Sequence, residues 1–179
     1  MADNKNSNET KTVREIKMGD IDLDFKREIT SLPGMEKLRL CFQCGSCTAD
    51  CPIARFSDVY NPRRLLRMTQ LGMKDRVLNS DAIWLCAACF TCVDHCPQGV
   101  DMSAVLRALR NLAVKEGVLP NVFKELTDNI AKTGYAYKIP ELRIKRRAER
   151  GLPDLPKSDV TAVSKLFDVL GIQKQKENK

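Results

Sequence analysis

Apolar positions recur at helical spacing over most of the 179-residue chain. The clearest run follows Asp101: Met102, Val105, Leu106, Leu109, Leu112 and Ala113 obey the i, i+3, i+4, i+7 rule, with Asp101 placed to cap the start and Gly117 to close the end. Val122, Phe123, Leu126 and Ile130 repeat the pattern up to Gly134. A last stripe, Val160, Val163, Leu166, Phe167 and Leu170, has Ser158 as its expected cap and Gly171 as its stop. Residues 141–150 are more weakly amphipathic and strongly basic. Earlier, Asn61-Pro62 reads as N-cap and first helical position of a helix ending at Gly72, with Leu65, Met68 and Leu71 as its inner face. Shorter helices are expected at 35–40, at 76–79, and from Ser80 or Asp81 to Leu85. One stretch departs from this: Ile21, Leu23 and Phe25 alternate with Asp22, Asp24 and Lys26, the period-two signature of a short strand or an extended arm over the core. The polar first 19 residues read as a tail.

Into this helical background the chain inserts eight cysteines in two copies of one pattern. Cys41, Cys44, Cys47 and Cys51-Pro52 form the first C-x2-C-x2-C-x3-C-P; Cys86, Cys89, Cys92 and Cys96-Pro97 form the second. This is the spacing of proteins that hold two [4Fe–4S] clusters, in which the fourth cysteine of each run ligates the other cluster. The expected sets are therefore Cys41, Cys44, Cys47 and Cys96 for cluster one, and Cys86, Cys89, Cys92 and Cys51 for cluster two. Zinc sites pair C-x2-C units across longer gaps, and the filled cysteine sets leave no open iron position for substrate. Small residues at Gly45, Ser46, Thr48, Ala87 and Ala88 give backbone amides access to cluster sulfur, a lever on potential; simple steric fit is the alternative. Phe42, Trp84 and Phe90 are placed to shield the clusters, or serve as ordinary core. His95, the lone histidine, is not needed as a ligand.

The 34 residues between Cys51 and Cys86 hold a capped helix rather than strands, which favours a mainly α, helical dicluster ferredoxin-like domain over the small α+β ferredoxin. The expected layout is a flexible tail over 1–19, the two-cluster domain over 20–134, a helical extension forming a subunit interface over 135–171, and a tail over 172–179.

Charge changes the picture less than it first suggests. The formal +7 treats every cysteine as neutral, whereas two oxidised clusters with eight thiolates bring the holoprotein to about +3. Two basic groups, Arg63, Arg64 and Arg67, and Lys145, Arg146, Arg147 and Arg150, read as solvated faces or as docking sites for an acidic partner. Nucleic-acid binding is not expected, because no reading helix or aromatic-interleaved strand accompanies the charge. A dinucleotide loop, a P-loop and a nucleophile–histidine pair are equally absent from the sequence. There is no signal-peptide h-region at the start and no apolar run of roughly 18 residues, so a reducing cytoplasm is the expected setting, with no membrane span. Two clusters without other catalytic machinery make a wire for electrons.

The blocks CFQCGSCTADCPIARFSDVYNPRRLLRMTQLGM and WLCAACFTCVDHCPQGVDMSAVLRALRNLA resemble the small iron–sulfur subunit of soluble heterodisulfide reductase from methanogenic archaea. The likeness runs from about residue 20 to 170. The double motif alone is shared with iron–sulfur subunits of succinate, glycerol-3-phosphate and glycolate-type dehydrogenases; NPRRLLRM and CPQGVDM make the resemblance more specific. It implies a fold of the fumarate reductase iron–sulfur C-terminal type. It also implies a relay between two heterodisulfide reductase partners: a flavin-containing, electron-bifurcating subunit (FAD, iron–sulfur), and a catalytic one with CCG domains. The catalytic partner would cleave the coenzyme M–coenzyme B disulfide, with a hydrogenase or formate dehydrogenase as indirect donor. An iron–sulfur subunit of a flavoprotein dehydrogenase is the alternative, and a structural iron–sulfur protein of nucleic-acid processing a second.

Overall fold

A computed structural model describes residues 16–156 and 158–172. The expected tails lie outside the described residues except for 16–19 and 172; within the first of these, Met18–Asp20 closes a single 3₁₀ turn.

The expected strand or extended arm at Ile21–Phe25 is a correction. Leu23–Ser31 is a helix, α1, because the Asp22 carboxylate accepts the backbone N–H groups of Asp24 and Phe25, two donors a helix start leaves open. The apolar residues that matter are then Phe25 and Ile29, four apart and both fully buried, while Leu23 is exposed. Alternation over five residues imitated a strand because a cap and a first helical turn also mix polar and apolar positions.

A 3₁₀ turn at Glu36–Leu40 leads into the first cysteine loop, which ends in the one-turn helix α2, Ser46–Ala49. Next comes α3, Pro62–Gln70, with Pro62 at its first position and the Asn61 side chain accepting from Arg64 N–H at 2.9 Å, as its sequence predicts. Its inner face is wider than expected: Leu65, Leu66 and Thr69 are buried, Met68 is half-buried and Leu71 lies at the surface. Gly72 then turns at φ +76°, and its carbonyl accepts the Asp22 N–H at 2.7 Å. A Cβ here would stand 2.3 Å from the Asp22 carbonyl oxygen, so this close docking of α1 requires glycine.

Helix α4, Lys74–Leu78, and a 3₁₀ turn at Asp81–Trp84 capped by Ser80 deliver the second cysteine loop, which ends in α5, Thr91–Asp94. The 14-residue α6, Met102–Lys115, is the axis of the fold. All six positions of its expected stripe are buried, and it packs against α1, α4, α5 and the Asp81–Trp84 turn. By the apolar area they remove from water, residues such as Leu106 and Leu109 each contribute roughly 2 kcal/mol.

Beyond Gly117 the chain is less buried. Helix α7, Asn121–Thr133, has no fully buried residue, and its Phe123 ring meets Trp84 at 5.2 Å between centroids. Helix α8, Glu141–Glu149, is also unburied. The last helix, α9, Val160–Leu170, packs on α7 and buries Phe167. Its cap is Asp159, not Ser158: Asp159 accepts from Ala162 N–H, while the Ser158 hydroxyl donates to the Thr133 carbonyl at 2.5 Å and ties the two helices together.

Candidate metal centre

Each C-x2-C-x2-C run is wound into a tight curl by two left-handed residues, Gln43 and Gly45 in the first copy and Ala88 and Phe90 in the second. Three of these four are not glycine, so the curl stores roughly 1–2 kcal/mol at each of them. The curl turns three sulfurs toward one space and ends in a one-turn helix, α2 or α5, that carries the third cysteine. Helices α2 and α5 pack on each other and bring the two copies side by side.

Two cavities result, of nearly equal size at about 340 and 330 Å³ including their open mouths. Cys41, Cys44, Cys47 and Cys96 line the first, and Cys92 reaches its wall; Cys86, Cys89, Cys92 and Cys51 line the second. Their electrostatics divide along similar lines, with Cys47 of the first set also acting on Cys92 of the second. Burial pushes the Cys47 thiol up, and the thiols of Cys41, Cys44 and Cys96 add to the effect. Burial likewise pushes Cys92 up to about 12, with further contributions from Cys86, Cys47, Cys51 and Cys89. Cys44 and Cys89 are exposed, and the hydroxyls of Ser46 and Thr91 hold their thiols below the ordinary value.

The donor set fits iron–sulfur cubanes. Each cavity offers soft sulfur ligands and no carboxylate or imidazole in its lining.

Around the sulfurs the structure places hydrogen-bond donors. Val100 N–H donates to Cys96 Sγ at 3.2 Å, Ala88 N–H to Cys86 Sγ at 3.4 Å, and Gln43 Nε2 to Cys41 Sγ at 3.4 Å. Tyr60 is buried in the wall of the second cavity, and burial, with the neighbouring Cys86, pushes its phenol far above the ordinary range. Of the small residues singled out in the sequence, Ala88 donates through its backbone, Ser46 Oγ approaches Cys44 Sγ at 3.5 Å and Thr48 Oγ1 stands 4.0 Å from Cys47 Sγ. Of the three aromatics, Phe90 lines the second cavity, Trp84 packs between Phe123 and the Arg110 guanidinium, and Phe42 is largely exposed. His95 Nδ1 meets Asp50 Oδ2 at 2.7 Å; these residues precede Cys96 and Cys51, so the pair links the two loops across their junction.

The repeat extends beyond the cysteines, although the flanking sequences hide it. Gln70 Nε2 donates to the carbonyls of Leu38 and Cys41; Arg110 donates from Nε to the carbonyl of Ile83 and from Nη2 to that of Cys86. Leu38 and Cys41 stand in the first copy where Ile83 and Cys86 stand in the second, at an offset of 45. Gln70 and Arg110 each lie nine residues after the helix caps Asn61 and Asp101. The helix after each motif thus reaches back and holds the stretch of backbone entering that motif. A helix cap nine residues before a long polar side chain was the available sequence signal.

Comparison with known proteins fits this architecture. Residues 37–100 match a 4Fe-4S dicluster domain. Over 141 residues, covering 79% of this chain and 75% of the relative, the sequence is 34% identical to the C subunit of the H(2):CoB-CoM heterodisulfide,ferredoxin reductase of Methanothermobacter thermautotrophicus. The chain belongs to the family of small iron–sulfur subunits of heterodisulfide reductase. It is also 35% identical over 148 residues to the iron-sulfur C subunit of the CoB--CoM heterodisulfide reductase of Methanopyrus kandleri, covering 79% of this chain and 77% of that one. A heterodisulfide reductase C-subunit-like protein of Archaeoglobus profundus is 30% identical over 83% of the chain and 78% of its own length. As a member of this family, the chain is a mainly helical electron-relay subunit with two [4Fe–4S] clusters. Among the described residues, no helix is long and apolar enough to cross a membrane.

Proposed function

We propose that this chain is the internal electron relay of a heterodisulfide reductase. It passes electrons from a flavin-containing, bifurcating partner to a catalytic partner that reduces the coenzyme M–coenzyme B disulfide. The observation that carries the reading is the pair of adjoining cysteine-lined cavities in a chain whose relatives bear the names of CoB-CoM heterodisulfide reductase subunits. The clusters supply one-electron carriers when bound. The chain holds them, excludes water from their inner faces, and presents surfaces to its neighbours.

Within that reading, Cys41, Cys44, Cys47 and Cys96 hold cluster one and Cys86, Cys89, Cys92 and Cys51 hold cluster two. The grouping of thiols around Cys47 and around Cys92 supports this cross-ligation. The helical dicluster core is read as the fumarate reductase iron–sulfur C-terminal type, occupying 20–134. The extension over 135–171 is read as a subunit interface, supported by its basic α8 and by the exposed Leu166, Val169 and Leu170 on α9.

Mass spectrometry of the proteins that co-purify from the native host under strict anoxia tests the reading. A CCG-domain protein together with a large flavoprotein is the expected result. Recovery of a substrate-oxidising flavoprotein alone would keep the two-cluster wire but remove the disulfide chemistry.

A further inference from the structure

The two cluster cavities have the same wall built from different side chains. At the offset of 45 that relates the motifs, Gln43, Gly45 and Ser46 correspond to Ala88, Phe90 and Thr91. At the offset of 40 that relates the caps Asn61 and Asp101, Val100 corresponds to Tyr60 and Ser103 to Arg63. Hydrogen bonding is close to balanced between the two: Cys41 receives the Gln43 side-chain amide, and its counterpart Cys86 receives the Ala88 backbone N–H, each at 3.4 Å. Full charge is not balanced among the lining residues, although Arg110, the equivalent of the neutral Gln70, places a cation behind the Cys86 carbonyl and outside the second cavity's lining. Arg63 lines the first cavity, whereas the buried, neutral Ser103 lines the second.

Arg63 is held in that position. Its backbone N–H donates to Thr48 Oγ1 at 3.0 Å, and Thr48 also donates to the helix cap Asn61 at 3.2 Å, so the start of α3 is locked to α2. Its side chain lies over Gly45, where a Cβ would stand 3.8 Å from Nη1. The guanidinium makes no ion pair or hydrogen bond among the described residues. In the second copy Phe90 occupies the place of Gly45, so that approach is filled by an aromatic ring.

From this asymmetry we infer that Arg63 is a redox-tuning residue that raises the reduction potential of cluster one above that of cluster two, so that a single electron in the relay rests on cluster one. Reduction adds a negative charge to a site that already carries net negative charge, and a permanent cation at its rim favours the reduced form. Arg63 is solvent-exposed, so the effect is screened and should be moderate in size. The inference rests on the ligand sets proposed above.

The test is an anaerobic redox titration of the full-length holoprotein followed by electron paramagnetic resonance, after iron and sulfide analysis. Cys44→Ser and Cys89→Ser variants mark which signal belongs to which cluster. Arg63→Gln should lower the reduction equilibrium of the Cys44-marked cluster by about tenfold, or ~59 mV for a one-electron couple. The other cluster should move by less than about twofold, and Arg63→Lys should restore most of the difference. In unaltered protein, raising the salt concentration should narrow the gap between the two potentials, a readout that needs no variant. If the unaltered protein lacks two [4Fe–4S] clusters, the proposed function and this inference fall together. Two intact clusters that shift equally, not at all, or on the Cys89-marked signal would overturn the inference alone.

Discussion

At the scale of single residues, the eight cysteines differ more in environment than their repeated motif implies. Without clusters, Cys44 and Cys89 are exposed and their hydroxyl neighbours favour the thiolate, while burial favours the neutral thiol at Cys47 and Cys92. Only the thiolate attacks an alkylating agent. In the cluster-free chain near pH 8, Cys44 and Cys89 should therefore be modified first and Cys47 and Cys92 last, as read by timed alkylation and peptide mass spectrometry. A buried thiol such as Cys92, whose ordinary value of 9.0 is raised to about 12, stays protonated as pH climbs, while the unfolded chain begins to ionise. Stability from burying neutral Cys92 is thus present below about pH 9 and lost as pH rises from 9 towards 12. Uniform alkylation rates would contradict the assigned environments. The cysteine positions were legible in sequence because chemistry demands their spacing. Their inequality was not, because it depends on Tyr60, Val100 and other residues that reach the sulfurs only after folding.

At the scale of elements, sequence periodicity located α3, α6 and α7 because helices of nine or more residues declare themselves by their stripes and their end signals. It failed at α1, where five alternating residues outweighed the cap Asp22 and the i, i+4 pair Phe25–Ile29. It also could not show that α3 and α6 are equivalent helices, since Gln70 and Arg110 share a role without sharing a residue type. Arg110 gives the sharper test. Its guanidinium makes charge-assisted bonds of 2.7 and 2.9 Å to Ile83 and Cys86 and lies 5.9 Å from the Trp84 ring centroid. Arg110→Ala should cost about 2–3 kcal/mol, because two partly buried carbonyls lose their donors. The loss should be local: cluster two should be lost faster on iron chelation, with cluster one little changed, followed by visible absorbance and by the two paramagnetic signals. Equal loss from both clusters would mean that the clamp acts on the fold as a whole.

At the scale of the whole molecule, cross-ligation and surface distribution divide the labour. In the proposed ligand sets each half of the core supplies three sulfurs to one cluster and one to the other, so the clusters would join the halves that α2 and α5 bring together. Cys51→Ser should reduce cluster two more than cluster one in iron analysis and spectroscopy; loss of cluster one alone would reverse the proposed ligand sets. Cluster binding supplies folding free energy in such small domains, so chelation should also lower the helical circular dichroism. The face farther along the chain has a different purpose. On α9, Phe167 turns inward, while Leu166, Leu170 and the 84%-exposed Val169 face outward close to the basic helix α8 in sequence. Such apolar exposure, with a basic helix near it in sequence, suits a neighbour with an acidic, apolar-centred surface. A Leu166→Lys, Val169→Lys double variant removes no buried residue, so its iron content and paramagnetic signals should match the parent protein. Its recovery with its partner proteins from anoxic extracts should fall by at least about tenfold, the loss expected when an interface centre worth more than ~1.4 kcal/mol is disrupted. Undiminished recovery with intact clusters would assign partner docking to the cysteine core itself and leave α7 and α9 as a covering for Trp84 and α6.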